Sequence, residues 1–135
     1  MTLNVVRLEE EGFTLAGKHQ DVLIWRRGRG VEVVANRGTW IGLIPDAGAE
    51  AEDQFVALGK GDLALFFTDG ATEAQGKGRE LYGEERLAAA LARVAGLPLH
   101  EALASLLAGI AGFREGAQDD DVTLLLVRRP DESVP

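Results

Sequence analysis

The sequence contains no cysteine, no long apolar run and little positive charge. Without cysteine the chain has no disulfides and no thiolate metal site. A membrane-spanning helix needs about 18 or more consecutive apolar residues, and no run approaches that length. The 14 Lys and Arg against 22 Asp and Glu give a net charge of -8, which argues against binding nucleic acid by phosphate neutralisation. The 135 residues, 46% of them apolar, are expected to form one soluble globular domain.

The N-terminal residues are not typical of a signal peptide. Residues 1–7 read as a strand and lack the layout of a signal peptide, so the expected compartment is the cytoplasm. We expect a single domain over residues 1–129 and a polar, frayed tail over residues 130–135. The one basic cluster, residues 26–29, lies at an expected hairpin turn; it could contact a phosphoprotein or another anion, or be a solvated turn.

The first half of the sequence is typical of strands and turns. Short apolar stretches alternate with Gly-rich turns, which predicts hairpins in an antiparallel sheet. Residues 22–25 are almost continuously apolar, as expected for a strand that is covered on both faces. A further hairpin is predicted around residues 59–62, followed by the most apolar strand, residues 63–68.

The second half has helical spacing. Leu87, Leu91 and Val94 predict a helix that begins near Gly83, and a second apolar face predicts another helix between Pro98 and Phe113. Residues 122–128 then return as a strand. Two consecutive helices placed before the last strand indicate an α+β fold, a mostly antiparallel sheet with both helices on one face.

Two aspartates at strand ends are the leading candidates for chemistry. Asp69 follows the apolar strand and precedes Gly70, while Asp120 precedes the last strand. Opposite strand ends can meet across a sheet, and carboxylate oxygens suit Mg²⁺ or Mn²⁺. The alternative is that Asp69 caps a turn and that residues 119–121 form a solvated loop.

Other candidates favour structural roles. His19 could approach a phosphate but is more typical of a hydrogen-bonded structural histidine, and His100, at a helix start, is expected on the surface. Trp25 and Trp40 are more typical of core or interface positions than of ligand platforms.

The longer strings around the two aspartates resemble one family. Residues 68–74 (Thr-Asp-Gly-Ala-Thr-Glu-Ala), residues 80–87 (Glu-Leu-Tyr-Gly-Glu-Glu-Arg-Leu) and residues 120–124 (Asp-Asp-Val-Thr-Leu) follow its pattern in order. Residues 38–46 also look like a family loop, and residues 16–19 resemble its Ala-Gly-His segment with Lys18 inserted. Over residues 2–129 the chain resembles the carboxy-terminal half of SpoIIE-like, metal-dependent phosphatases of the PPM superfamily, whose fold is an αββα sandwich.

The resemblance implies a function. Such enzymes dephosphorylate phosphoserine or phosphothreonine on anti-sigma-factor antagonists and related bacterial regulatory proteins. By the resemblance, Asp69 and Asp120 would be ligands of one Mn²⁺ or Mg²⁺, and Asp121 would orient a ligand or accept hydrogen bonds. A bridging water would attack the phosphoryl group directly. Glu73 could lie at the rim, although a structural role is favoured.

One family motif has no counterpart here. The upstream Asp-x-x-Gly-His-Gly string, whose aspartate bridges two metals, is not matched: Asp21 and Asp46 have other neighbours, and Asp62 opens a strand. The metal site is therefore expected to be incomplete, and a bare sheet face would favour a homodimer or another partner chain. The alternatives are a non-catalytic regulatory or self-associating module with the phosphatase fold, and a generic acidic domain.

Overall fold

The computed structural model describes residues 2–38, 52–117 and 120–131, which form seven strands and three α-helices. The strands are β1 (Leu3–Glu9), β2 (Gly12–Lys18), β3 (Val22–Arg26), β4 (Gly30–Val34), β5 (Gln54–Ala57), β6 (Leu63–Phe67) and β7 (Leu124–Arg128). The helices are α1 (Asp69–Thr72), α2 (Gly83–Val94) and α3 (Leu99–Phe113), and a single 3-10 turn spans Lys77–Arg79.

The strands divide into two antiparallel sheets. The outer sheet has the order β1-β2-β5, and the central sheet has the order β4-β3-β6-β7. The chain changes sheet between Lys18 and Val22, so β3 pairs with β4 and β6 and not with β2. The sequence predicts hairpins but not this division, because alternation of apolar residues does not specify which strand is the neighbour.

Helices α2 and α3 cover the central sheet on the face away from the outer sheet. Leu23, Leu63 and Leu65 pack there against a set of buried helix residues, which are Leu87, Leu91, Leu106 and Ile110. A second core lies between the sheets and includes Phe13, Leu15, Val22, Ile24 and Ala64. The α+β fold with both helices on one face is confirmed, and β3, as predicted, is covered on both faces.

The outer sheet carries apolar side chains on its exposed face. Leu3, Val5 and Phe55 are 44%, 55% and 54% exposed. In the described part of the chain β1 pairs only with β2, so its other edge is open. The interpretation that one sheet face is bare agrees with these positions.

Some of the predictions concern residues that lie outside the described ranges. The loop of residues 38–46, with Trp40 and Asp46, lies outside them beyond Gly38, as do Asp119 and most of the tail.

Trp25 packs partly buried against the helix-side core, and His100 is on the surface, both as expected. The helices within the described ranges are each too short or too polar to span a lipid bilayer.

Candidate metal site at the ends of β6 and β7

Strands β6 and β7 bring the two aspartate strings together. The strands are antiparallel, with Phe67 opposite Leu124 as the last pair. One step beyond, the Thr68 N–H donates to the Thr123 carbonyl (3.1 Å), and the Thr123 N–H donates to Thr68 Oγ1 (3.0 Å). The Thr68 hydroxyl in turn donates to the Asp121 carbonyl (3.1 Å). Thr68 therefore joins two strings that are about fifty residues apart in sequence.

Gly70 allows the two strings to make direct contact. A Cβ atom built on Gly70 would lie 2.4 Å from the carbonyl oxygen of Asp121, well inside van der Waals contact. The neighbouring atom belongs to the backbone, so it cannot move aside as a flexible side chain could. The sequence requires glycine after Asp69 because the backbone of the other strand occupies the space of a side chain.

The carboxylate of each aspartate in the pair accepts a hydrogen bond from the backbone N–H of the next residue. Asp69, the first residue of α1, accepts from the Gly70 N–H through Oδ1 (3.0 Å). Asp120 accepts from the Asp121 N–H through Oδ1 (2.8 Å). Asp120 and Asp121 are exposed, and Asp69 is half-buried. Each hydrogen bond orients one carboxylate relative to its own backbone, Asp69 just beyond the end of β6 and Asp120 just before β7.

The donor set suits a hydrated cation. Mg²⁺ is commonly bound by one or two carboxylates and keeps several waters, and Mn²⁺ accepts similar oxygen ligands. Within the described ranges, no cluster of three or more His, Cys, Asp or Glu residues could hold a metal ion. The roles of Asp69 and Asp120 as metal ligands, and the incompleteness of the site, therefore stay predictions.

Two clefts flank this edge. The helix-side cleft, about 350 Å³, is lined by Gly70, Asp120, Glu73 and residues of the α1–α2 loop and the α3 end. The sheet-side cleft, about 210 Å³, opens between the two sheets and includes Asn4, His19, Thr68 and Thr123. Asn4 Oδ1 is buried and finds no hydrogen-bond partner among the described residues. His19 therefore lies near the site, but no described contact gives it a ligand role.

Asp21 and Asp62, which lie outside the pair, have structural contacts. Asp21 Oδ1 accepts from the Asn36 N–H (2.9 Å). Asp62, at the opposite end of β6 from Asp69, accepts from the Arg27 and Gly59 N–H groups and from the Arg26 guanidinium. Burial alone would raise the pKa of Asp62, but these three donors outweigh it and hold the pKa below its usual range.

Two further family-like strings meet through glycines. Gly17 has a φ of +98°, and a Cβ built on it would lie 2.1 Å from the Leu3 carbonyl oxygen. A Cβ on Gly38 would lie 1.6 Å from the Gly17 carbonyl oxygen. The segment of residues 16–19 and the start of the 38–46 string are therefore in backbone contact, which neither string indicates by itself.

Sequence reasoning missed several residues at this edge. The sequence pattern places Thr68 in the Asp69 string but does not indicate that its hydroxyl forms hydrogen bonds with both Asp121 and Thr123. Glu115 and Arg114, which line the helix-side cleft, follow the predicted end of α3 and carry no local signal. Only the return of β7 beside β6 places them near Asp120.

One family model matches nearly the whole chain. Residues 1–130 match the family model described as Stage II sporulation protein E (SpoIIE). The search of curated protein sequences gives no significant match.

Solved structures share the fold. The SiaA-PP2C domain of Pseudomonas aeruginosa is 27% identical, with a TM-score of 0.69 over 85% of this chain and 46% of that one. The RsbU and RsbW domains of a Mycobacterium tuberculosis protein are 25% identical, with a TM-score of 0.73 over 92% of this chain and 34% of that one.

The phosphatase domain of the cell fate determinant SpoIIE from Bacillus subtilis, presoaked with Mn, is 21% identical, with a TM-score of 0.68 over 100% of this chain and 58% of that one. The chain therefore spans about half the length of the structures it matches. Because the family model covers nearly the whole sequence, the chain belongs to the SpoIIE family of PP2C-type phosphatase domains.

Proposed function

We propose that this chain forms part of a Mn²⁺- or Mg²⁺-dependent phosphatase that hydrolyses phosphoserine or phosphothreonine on a bacterial regulatory protein of the anti-sigma-factor antagonist type. The observation that supports the proposal is the junction of Thr68, Gly70 and Asp121, which brings the backbone beside Asp69 into contact with the backbone beside Asp120. The SpoIIE family match over residues 1–130 also supports the proposal.

The residues of the chain have distinct parts in this proposal. Asp69 and Asp120 would hold the metal, and Thr68 and Gly70 would fix the distance between the two strand ends. When bound, the metal would neutralise phosphoryl oxygens and activate water. Asp121 contributes its backbone carbonyl to the junction, and its exposed carboxylate remains available to orient water or substrate.

Calorimetric titration with Mn²⁺ tests the ligand pair. We expect the chain to bind Mn²⁺, and we expect Asp69→Asn or Asp120→Asn to weaken the binding by more than about tenfold. Substitution of residues that only contact a metal ligand already lowers metal affinity by about tenfold or more. Asp53→Asn, an exposed position outside the site, removes the same charge and serves as the control. Equal weakening in all three variants would show that only the overall charge attracts the ion.

Hydrolysis is measured separately. With Mn²⁺, turnover of p-nitrophenyl phosphate or a phosphoserine peptide that is lost in Asp69→Asn would support catalysis by this chain. Turnover no higher than that of Mn²⁺ alone, or unchanged in Asp69→Asn, would refute catalysis by these residues.

A self-associating module is the second candidate function. The exposed Leu3, Val5 and Phe55 on the outer sheet favour it, because an apolar sheet face beside an open edge is typical of an interface. The partner we propose is a second copy of the chain, in a homodimer in which the two outer sheets face one another.

Size-exclusion chromatography with light scattering tests this homodimer. We expect a concentration-dependent dimer that Val5→Glu converts to monomer, because the new carboxylate would be desolvated in the interface. Val33→Glu is the matched control, since Val33 is 48% exposed on β4 of the other sheet. A chain that remains monomeric at high concentration would exclude this function.

A further inference from the structure

The helix-side cleft adjoins the candidate metal site but extends away from it. Gly70 and Asp120, which belong to the two aspartate strings, are among its lining residues. Its walls come from two segments that are distant in sequence, the α1–α2 loop and the residues that follow α3. A ligand group that reaches the aspartate pair could therefore place a neighbouring group in this cleft.

The two walls are joined by backbone contacts. The Glu115 N–H donates to the Gln75 carbonyl (2.9 Å), and Gln75 forms an isolated bridge with Leu81. A Cβ built on Gly76 would lie 2.9 Å from the Phe113 ring, so the loop backbone packs directly on the end of α3. These contacts set the width of the cleft before any ligand arrives.

Arg86 holds the outer part of the loop. Its guanidinium donates to the carbonyls of Leu81 (2.9 Å) and Tyr82 (3.1 Å), and it lies 4.9 Å from the centroid of the Phe113 ring. Cation–π contact and two carbonyl acceptors fix a side chain that also pairs with Glu80. Leu81 is thus held in place although it is 47% exposed, and it lines the cleft.

The lining combines an apolar strip with excess negative charge. Leu81 and Ala74 provide the strip. Apart from Asp120, which is assigned to the metal, Glu73 and Glu115 supply two carboxylates against the one guanidinium of Arg114, a formal balance of -1. A lysine or arginine side chain matches both features, because its aliphatic stem covers apolar surface while its cationic head stays among carboxylates and water.

We propose that the helix-side cleft binds a lysine or arginine side chain of the phosphoprotein substrate, a few residues from the phosphorylated position. The position of the phosphate in this proposal rests on the proposed phosphatase function. The preference of the cleft for a positive charge does not. Glu73 and Glu115 would pair with the cationic head, and Leu81 would contact the stem. The acidic net charge of the whole chain would also favour such a segment.

Amide chemical-shift titration of the chain in the presence of Mg²⁺ tests this. Three peptides differ at single features: a phosphoserine peptide with lysines on both sides, the same peptide with acetyl-lysines, and the lysine peptide with serine for phosphoserine. We expect the lysine phosphopeptide to shift residues 73–75, 81 and 114–117 and to bind about tenfold more tightly than the acetyl-lysine form, as two partly solvated ion pairs would give.

A double variant and its control localise the effect. Glu73→Gln with Glu115→Gln is expected to abolish the preference for lysine. Glu84→Gln with Glu85→Gln removes the same charge from the exposed start of α2 and is expected to keep it. Equal affinity for the two phosphopeptides, an unchanged preference in the Glu73/Glu115 variant, or shifts confined to other residues would overturn the proposal.

The serine peptide separates this proposal from the phosphatase function. If the serine peptide shifts the same cleft residues as the lysine phosphopeptide, the basic side-chain site stands whether or not Mn²⁺ binds or phosphate is released. Chemical-shift changes near Asp69 and Asp120 that occur only with the phosphopeptides, and equally with lysine and acetyl-lysine, would support the phosphatase function. They would refute the binding of a basic side chain in the cleft.

Discussion

Replacement of Asp62 by alanine is expected to lower the free energy of unfolding by about 3 kcal/mol, the cost of removing one partner from a buried charged pair. The Asp62 side chain is only 8% exposed. It accepts from the Arg27 N–H (2.9 Å), the Gly59 N–H (2.9 Å) and the Arg26 guanidinium (3.0 Å). Alanine would remove the acceptor of the Arg27 and Gly59 N–H groups in a largely buried place, whereas the Arg26 guanidinium would still donate to the Ala57 carbonyl and to Glu32.

Urea unfolding monitored by circular dichroism measures this effect. Asp62→Asn keeps one carbonyl acceptor but places an amide donor against the others, so we expect a smaller loss of about 2 kcal/mol. Asp131→Ala is the matched control: Asp131 pairs with Arg27 from a side chain that is 61% exposed, and such pairs contribute about 1 kcal/mol or less. A loss in Asp62→Ala no larger than in Asp131→Ala would contradict the buried network.

The same network predicts a pH dependence. Because the pKa of Asp62 is lowered in the folded state, its stabilisation is complete above the ordinary carboxyl pKa of about 3.9 and is lost as pH falls through the lower folded value. The difference in unfolding free energy between the unmodified chain and Asp62→Asn should therefore narrow below about pH 4. Parallel stability curves from pH 6 to pH 3 would contradict this expectation.

Replacement of Gly70 by alanine is expected to cost about 2 kcal/mol of stability and to disrupt the candidate metal site. The new Cβ would lie 2.4 Å from the Asp121 carbonyl oxygen, so the backbone at residues 120–121 must shift. Such overpacking costs about 1–3 kcal/mol, and the shift would also break the hydrogen bond from Thr68 to Asp121. We expect Mn²⁺ binding to fall together with stability.

Gly112→Ala is the matched control for this substitution. Gly112 lies in α3, and no atom lies within 4 Å of a Cβ built there. Alanine at this helical position should raise stability by about 0.5–1 kcal/mol and leave Mn²⁺ binding unchanged. If Gly70→Ala keeps both stability and Mn²⁺ affinity, the close approach of the two strand ends is not needed for the site.

Local sequence predicted the elements well where one pattern dominated. The spacing of Leu87, Leu91 and Val94 indicates α2, and all three side chains are buried. The almost continuous apolar residues of β3 indicate a strand covered on both faces, which the two cores confirm. The short helix α1 was not predicted, because Asp69 and Gly70 are equally typical of a turn and the helix has only four residues.

The candidate site was predictable only in part. Asp69 and Asp120 were found from their strand-end positions, and their role as ligands stays a prediction. The Thr68 junction was not found, since its three hydrogen bonds join residues more than fifty positions apart. The cleft beside Asp120 was not found either, because its walls meet only when Glu115 bonds to Gln75.

The sequence by itself determined the α+β class, the two covering helices and the pair of aspartates, because apolar periodicity and strand-end residues are local properties of the chain. The tertiary structure decided the division into two sheets, the contact of Gly70 with Asp121 and the cleft between α1 and the end of α3. These depend on which distant segments become neighbours, and that choice follows from the burial of whole apolar faces and not from any one string of residues.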